Sequence, residues 1–143
     1  MLIGRTRRAF ETHPETQTMT ESIGNTVTSQ VLGFTEPRDV LGTTWILTPA
    51  LAGKILNLEP SNRYGFYAEW PIQLWNNLTN PTYIEVEGLE WETPDRYQQE
   101  IAQAGYLSWK ESYQNVRKWR KRNLMLRDMI EATITRIHFQ KST

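Results

Sequence analysis

Hydrophobic and polar positions follow two different patterns along this chain. Residues 82–87 alternate between the two kinds of side chain, which is typical of a half-buried antiparallel strand. After residue 108, apolar residues recur at helical spacing instead. The sequence therefore predicts an α+β fold. We expect a small antiparallel sheet with a short helix, followed by a C-terminal αα-hairpin with one long basic helix.

Residues 27–92 are predicted to be mainly strands, because their apolar runs are rich in β-branched and aromatic residues. The candidate strands are residues 27–34, 43–47, 64–70, 72–75 and 82–87. A short helix interrupts them, with Thr48 as its N-cap and Pro49 as its first residue, and it ends before Pro60.

The N-terminal 26 residues lack periodic apolar positions. Residues 1–26 are rich in Thr, Glu and Gln, a composition typical of a flexible segment. The sequence therefore predicts an N-terminal arm over residues 1–26 and a single α+β domain over residues 27–143, which is the usual size of one domain.

Residues 93–139 carry the signals of a helical hairpin. A Thr-Pro pair at residues 93–94 starts the first helix, and Gly105 ends it. A capping box at residues 108–111 starts the second helix, which is predicted to continue to about His138.

The second helix has an apolar residue at nearly every seventh position. The repeat comprises Trp109, Val116, Asn123, Ile130 and Ile137, with Trp119 and Leu126 three residues after two of them. This spacing is compatible with a self-paired parallel coiled coil, although flanking arginines would then repel one another. It is also compatible with packing on the domain's own sheet, or with binding to a helix or acidic groove of another protein.

Composition excludes several classes of function. The chain has 143 residues, no Cys and a formal net charge of zero, so disulfides, thiolate nucleophiles and Cys-based zinc sites are excluded. No apolar run approaches the roughly 18 residues of a membrane-spanning helix. We expect a cytoplasmic protein without a membrane span, and the sequence predicts no cofactor, no metal site and no catalytic residue.

Charge is distributed unevenly despite the neutral total. Residues 106–143 contain nine Lys or Arg and three acids, and nine minus three gives +6. Residues 57–105 contain two Arg and eight acids, and two minus eight gives −6. Such opposite segments can neutralise each other, a second copy of the chain or an outside polyanion.

The candidate binding residues lie in these two segments. Predicted for partner binding on the basic helix are Arg117, Lys118, Trp119, Arg120, Lys121, Arg122 and Arg127. The predicted acidic face comprises Glu85, Glu87, Glu90 and Glu92. The sequence thus favours a non-catalytic subunit of a larger macromolecular assembly, bound through both faces to other subunits or to further copies of itself.

Two other functions fit the same residues. The basic helix is also compatible with RNA or single-stranded DNA binding, because its cations can neutralise phosphates and Trp119 can stack on a base. A third hypothesis is an enzyme that uses Glu85 and Glu87, whose carboxylates share one strand face roughly 7 Å apart.

Overall fold

The computed structural model describes residues 1–41, 44–91, 97–112 and 115–140. Within these ranges the chain has three strands and seven helices, so the predicted α+β class is confirmed. In chain order the elements are β1 (Leu2–Arg5), α1 (Arg7–Glu11), α2 (Glu15–Val31), β2 (Thr44–Trp45), α3 (Pro49–Leu56), α4 (Phe66–Asn76), β3 (Tyr83–Val86), α5 (Gln98–Ala104), α6 (Tyr106–Glu111) and α7 (Val116–Gln140).

The sheet is small, and its strand order is β2-β1-β3. Leu2 of β1 pairs antiparallel with Trp45, while Ile3 pairs in parallel with Ile84 of β3. The prediction of a purely antiparallel sheet is therefore wrong. The parallel partners β1 and β3 are joined by residues 6–82, which contain α1, α2, α3 and α4, and a parallel pair requires such a long crossover connection.

The N-terminal residues do not form the predicted flexible segment. They supply the central strand of the sheet, and the side chain of Leu2 is completely buried there with Val40 and Ile72. Most of α2 also lies before residue 27. Its buried face is polar and small, which hides its helical period from a reading of apolar positions. The buried residues of α2 are Thr16, Thr20, Gly24, Asn25, Thr28 and Ser29.

Three of the predicted strands are largely helical. Residues 27–31 complete α2, and residues 64–70 and 72–75 fall mostly within α4, which contains Pro71. Because Ala68 and Ile72 are four residues apart, they share one helical face, and both are fully buried. Tertiary packing thus overrides the strand propensity of the aromatic residues.

The short helix and two of the strands were predicted at the right places. The side-chain oxygen of Thr48 accepts a hydrogen bond from the amide of Leu51 (3.4 Å), and α3 begins at Pro49. Strands β2 and β3 lie within the predicted runs 43–47 and 82–87.

The C-terminal helices differ in detail from the predicted hairpin. Residues 93–94 lie outside the described residues. Gly105, with a φ of 79°, separates α5 from α6. Ser108 is inside α6 rather than at its N-cap, so the predicted second helix is in fact α6 followed by α7. Trp109 accordingly leaves the heptad repeat and stacks on Trp91, with ring centroids 4.6 Å apart.

The long helix α7 packs mainly on α2 and α4. Met129 is buried with Leu41 and Ala68, and Leu126 packs against the same cluster. The apolar stripe therefore packs within the chain, as one of the sequence hypotheses proposed, although its neighbours are helices rather than the sheet. This packing divides α7 into an inner face toward α2 and α4 and an outer face toward solvent.

Candidate functional site

The basic run of α7 is split between its two faces. Arg117, Arg120 and Arg127 are exposed on the outer face. Lys118 and Lys121 are also exposed, but together with Arg122 they line a cavity beside the start of α2. This division follows from the helical period, because residues three or four apart share a face.

The outer face carries unneutralised positive charge in its first two turns. Arg117 and Arg120 form no ion pair with any residue in the described part of the chain. One turn further, Arg127 donates to the carboxylate of Asp128 at 2.8 and 3.1 Å and lies 3.8 Å from that of Glu131. The hydrogen bond with Asp128 raises the pKa of Arg127.

Apolar side chains lie beside these arginines. Trp119 is half-buried, whereas Leu124 and Ile134 are 42% and 47% exposed. Trp119 and Leu124 line an open hollow of about 500 Å³ with Arg120, Asn123 and Arg127. The first half of the outer face is therefore basic and partly apolar. The second half is mainly apolar, and the positive charge of Arg127 there is neutralised.

On the inner face, a basic residue of α7, Arg122, forms hydrogen bonds with α2. The guanidinium of Arg122 donates to the side-chain oxygen of Gln17 (2.7 Å) and, at 3.4 Å, to the carboxylate of Glu21. Its side chain is only 27% exposed. Arg122, which the sequence groups with the partner-binding residues, thus lies within the fold.

Glu21 belongs to a buried ionic network that sequence reasoning missed. The guanidinium of Arg5 donates to Asp39 at 2.6 and 2.8 Å and to Glu21 at 2.6 Å. The side-chain amide of Asn25 donates to Asp39 (3.0 Å), while its oxygen accepts from the amides of residues 40 and 41. Each polar group named in these contacts therefore has a hydrogen-bond partner within the protein.

Burial and charge oppose each other in this network. Burial alone lowers the pKa of Arg5, but its hydrogen bonds and charge interactions with Asp39 and Glu21 raise it above the ordinary value. Burial raises the pKa of Glu21, and this effect exceeds the opposing influence of Arg5 and Arg122. No local sequence motif predicts the network, because Arg5, Glu21 and Asp39 are far apart in sequence.

The acidic residues in and just after β3 pair with arginines of the first 38 residues rather than with α7. Glu85 lies 3.2 Å from Arg38, while Arg8 bonds Glu87 at 2.8 Å and Glu90 at 3.0 Å. Glu92 lies outside the described residues. The expected pairing of this face with residues 117–122 within one chain is therefore not found among the described residues.

The same contacts bear on the hypothesis of an acidic catalytic pair. The hydrogen bond from Arg8 lowers the pKa of Glu87, so this carboxyl is a poor general acid. Glu85 accepts a hydrogen bond from the hydroxyl of Tyr83 at 3.2 Å in addition to its ion pair. Glu87 thus pairs with α1, and Glu85 pairs with the segment that follows α2.

Within residues 1–41, 44–91, 97–112 and 115–140, no group of three or more His, Asp or Glu side chains is placed to hold a metal ion. In the same ranges, no helix has both the length and the apolar character needed to cross a bilayer.

No protein-family model, curated protein or solved structure matches the chain. The roles of its residues therefore have to be argued from geometry and chemistry alone.

Proposed function

We propose that this protein is a non-catalytic subunit of a larger macromolecular assembly and binds another protein through the outer face of α7. The observation that supports this most directly is the pair of exposed arginines, Arg117 and Arg120, which have no described acidic neighbour. The acids of β3 are already engaged by Arg8 and Arg38, so the docking function is assigned to the helix alone.

Like charges on one helix face favour an anionic partner. Arg117 and Arg120 are three residues apart, a spacing at which like charges repel by a few tenths of a kcal/mol. An acidic surface removes this repulsion and orients the partner as it approaches. Trp119 and Leu124, which lie beside the arginines, supply apolar area that can be buried in the contact.

The second half of the outer face favours a protein over a nucleic acid. There Arg127 is neutralised by Asp128 and Glu131, and Ile134 is exposed. Affinity for a nucleic-acid backbone grows with the number of phosphates that cations neutralise, whereas a protein surface can combine an acidic and an apolar patch. The outer face changes from basic to apolar along the helix, and this arrangement suits a protein partner better than a nucleic acid.

Two probes of equal net charge test this proposal. One is a fluorescent helical peptide with glutamates and leucines on one face, and the other is a single-stranded oligonucleotide. The peptide is expected to bind more tightly, and Arg117→Glu/Arg120→Glu is expected to weaken binding by about tenfold or more, equivalent to about 1.4 kcal/mol. The double variant Arg7→Glu/Lys54→Glu changes the total charge equally on other exposed surfaces and should bind as the unmodified protein does.

Nucleic-acid binding is the second candidate, supported by the position of Trp119. This half-buried ring lines the same hollow as Arg120 and Arg127, and an aromatic ring beside guanidinium groups suits an unpaired base. Tighter binding of the oligonucleotide, with a steep loss of affinity as salt rises, would replace the first proposal by this one. Equal binding by the Arg117→Glu/Arg120→Glu variant would contradict both.

A further inference from the structure

We infer that the inner side of α7 forms a binding site for a small phosphomonoester whose body is an uncharged, polar ring system, as in a nucleoside monophosphate. The site consists of two neighbouring cavities. The first lies between α7 and the starts of α2 and α4, and the second is lined by α2, α7 and residues of the sheet. It does not use Arg117 or Arg120, so this inference is independent of the proposed docking function.

The outer of the two cavities is cationic. It has a volume of about 280 Å³ and is lined by Lys118, Lys121 and Arg122, with Tyr64 and Tyr67 opposite. No carboxylate occurs among its described lining residues. Three basic side chains around one cavity without an acid, flanked by phenol groups that can donate hydrogen bonds, form a suitable environment for a phosphate.

Arg122 is already positioned for this role. Its contacts with Gln17 and Glu21 hold the guanidinium against α2. A guanidinium has five N–H donors, and these two contacts with described residues use two of them. A fixed arginine loses little conformational entropy when it binds a ligand, which favours affinity.

The inner cavity suits the rest of the ligand. Its volume is about 320 Å³, and it shares Tyr67, Arg122 and Met125 with the outer cavity, so the two adjoin. Apolar side chains form much of its wall, while Gln17, Thr20 and Glu21 contribute polar groups. Each volume is close to the lower end of the range typical of small-molecule sites.

The charge of the joined cavities matches a phosphomonoester. Their described lining residues include four basic side chains and two carboxylates, and four minus two leaves +2. Both carboxylates, Glu21 and Asp39, are already engaged by Arg5. A phosphomonoester carries about −1.5 to −2 at pH 7, which is opposite in sign to the summed charge of these lining residues.

The volume favours a small ligand over a polymer. A nucleic-acid strand would lie along the exposed face of a helix, whereas these cavities lie between α7 and the elements packed beside it and continue inward to Arg5. Met125 and Met129 line the inner cavity, and their polarizable side chains pack well against an aromatic ring. A nucleobase therefore fits this wall, with its polar edge toward Gln17 and Glu21.

Isothermal titration calorimetry with matched probes tests the inference. The probes are the four ribonucleoside 5′-monophosphates, the corresponding nucleosides, ribose 5-phosphate and inorganic phosphate. We expect at least one monophosphate to bind at least about tenfold more tightly than its nucleoside, since each lost charge-assisted hydrogen bond costs about that factor. The same monophosphate should also bind at least about tenfold more tightly than inorganic phosphate, which lacks the ring system that contacts the inner cavity. Tighter binding by ribose 5-phosphate than by every nucleotide would support the phosphate site and identify the body as a sugar.

A pair of charge-matched variants locates the binding. Lys121→Glu is expected to weaken binding by at least about tenfold, while Lys54→Glu, which makes the same charge change on the exposed surface of α3, should leave it unchanged. Ligand-induced shifts of the amide resonances of Gln17, Thr20 and Glu21 provide a second readout that does not depend on any variant. Thermal unfolding verifies that both variants are folded.

Four results would overturn the inference. They are no binding by any phosphorylated probe, equal binding by nucleoside and nucleotide, equal binding by inorganic phosphate and nucleotide, and equal affinity in the Lys121→Glu variant. Since the docking test uses Arg117 and Arg120 instead, failure of one proposal leaves the other to be decided by its own experiment.

Discussion

The inner and outer faces of α7 use the same residue type in opposite ways. On the inner face, Arg122 and Arg136 contact the carboxylates of Glu21 and Glu69, which belong to other helices. On the outer face, Arg117 is exposed and has no described ion-pair partner. Adjacent basic residues in a sequence therefore do not necessarily form one surface in the folded protein. What lies opposite each side chain determines whether it holds the fold together or is available to a partner.

The difference in burial also determines the energetic weight of each contact. Removing one member of a buried ion pair costs about 3–5 kcal/mol, because the remaining charge loses its compensation. Exposed ion pairs contribute only about 0–1 kcal/mol. Substitutions on the inner face should therefore change stability, whereas those on the outer face should change binding.

The largest effect is expected at Glu69 of α4. Its carboxylate is 1% exposed and accepts hydrogen bonds from the amide of Ser61 (3.0 Å) and from Arg136 (3.1 Å). We expect Glu69→Ala to lower the free energy of unfolding by about 3 kcal/mol, measured by urea denaturation. Glu131→Ala, which removes an exposed carboxylate from the outer side of α7, serves as the control and should change stability little. Similar losses in both variants would contradict the comparison.

An intermediate effect is expected at Gly65, where α4 approaches α7 closely. A Cβ at this position would lie 2.9 Å from the Cβ of Ala132 and 2.8 Å from the side-chain oxygen of Asn62. Gly65→Ala should therefore lower the free energy of unfolding by about 1–3 kcal/mol.

Gly53 of α3 is the matched control for this substitution. A Cβ there would meet no heavy atom within 4 Å, so Gly53→Ala should raise stability by about 0.5–1 kcal/mol through its helix propensity. Stabilisation by both substitutions would show that α4 and α7 do not approach as closely as described.

A small effect on stability is expected on the outer face. Arg117→Ala/Arg120→Ala should change the free energy of unfolding by less than about 0.5 kcal/mol, because neither side chain has a described partner to lose. The measurement is the same urea denaturation. A loss above about 2 kcal/mol would assign these arginines a structural role and remove the contrast between the two faces.

The smallest effect is expected at the exposed pair of Arg8 and Glu87. The hydrogen bond from Arg8 lowers the pKa of Glu87, so its stabilisation is present above the unfolded-state pKa and is lost as pH falls through the folded-state pKa. In Arg8→Ala the pKa of Glu87 should rise toward its ordinary value, as followed by NMR titration. An unchanged pKa would show that this contact does not form in solution.

The sequence predicts the parts of the fold that carry conventional signals. The Thr48-Pro49 pair places the start of α3, and alternation places β3. Helix α2 is missed because its buried face consists of small and polar residues, such as Thr20, whose hydroxyl bonds the carbonyl of Thr16 four residues earlier. No scale of apolar periodicity detects such a face.

The candidate sites, too, could be predicted from the sequence only in part. The sequence shows that α7 contains consecutive basic residues. Which of them face the fold and which face solvent depends on the elements that pack against α7. The network of Arg5, Glu21 and Asp39 joins residues up to 34 positions apart, and only the pairing of β1 at the centre of the sheet brings Arg5 to the other two. Long-range contacts of this kind have no local signature in the sequence.

The central claim is that the outer face of α7 is the docking surface. The most direct test is to titrate the glutamate–leucine helical peptide into ¹⁵N-labelled protein and to follow each backbone amide by NMR. Our account predicts that amides near Arg117, Arg120 and Leu124 shift, while those near Arg8 and Glu87 remain in place. Shifts confined to other surfaces, or none at peptide concentrations that saturate similar sites, would contradict it.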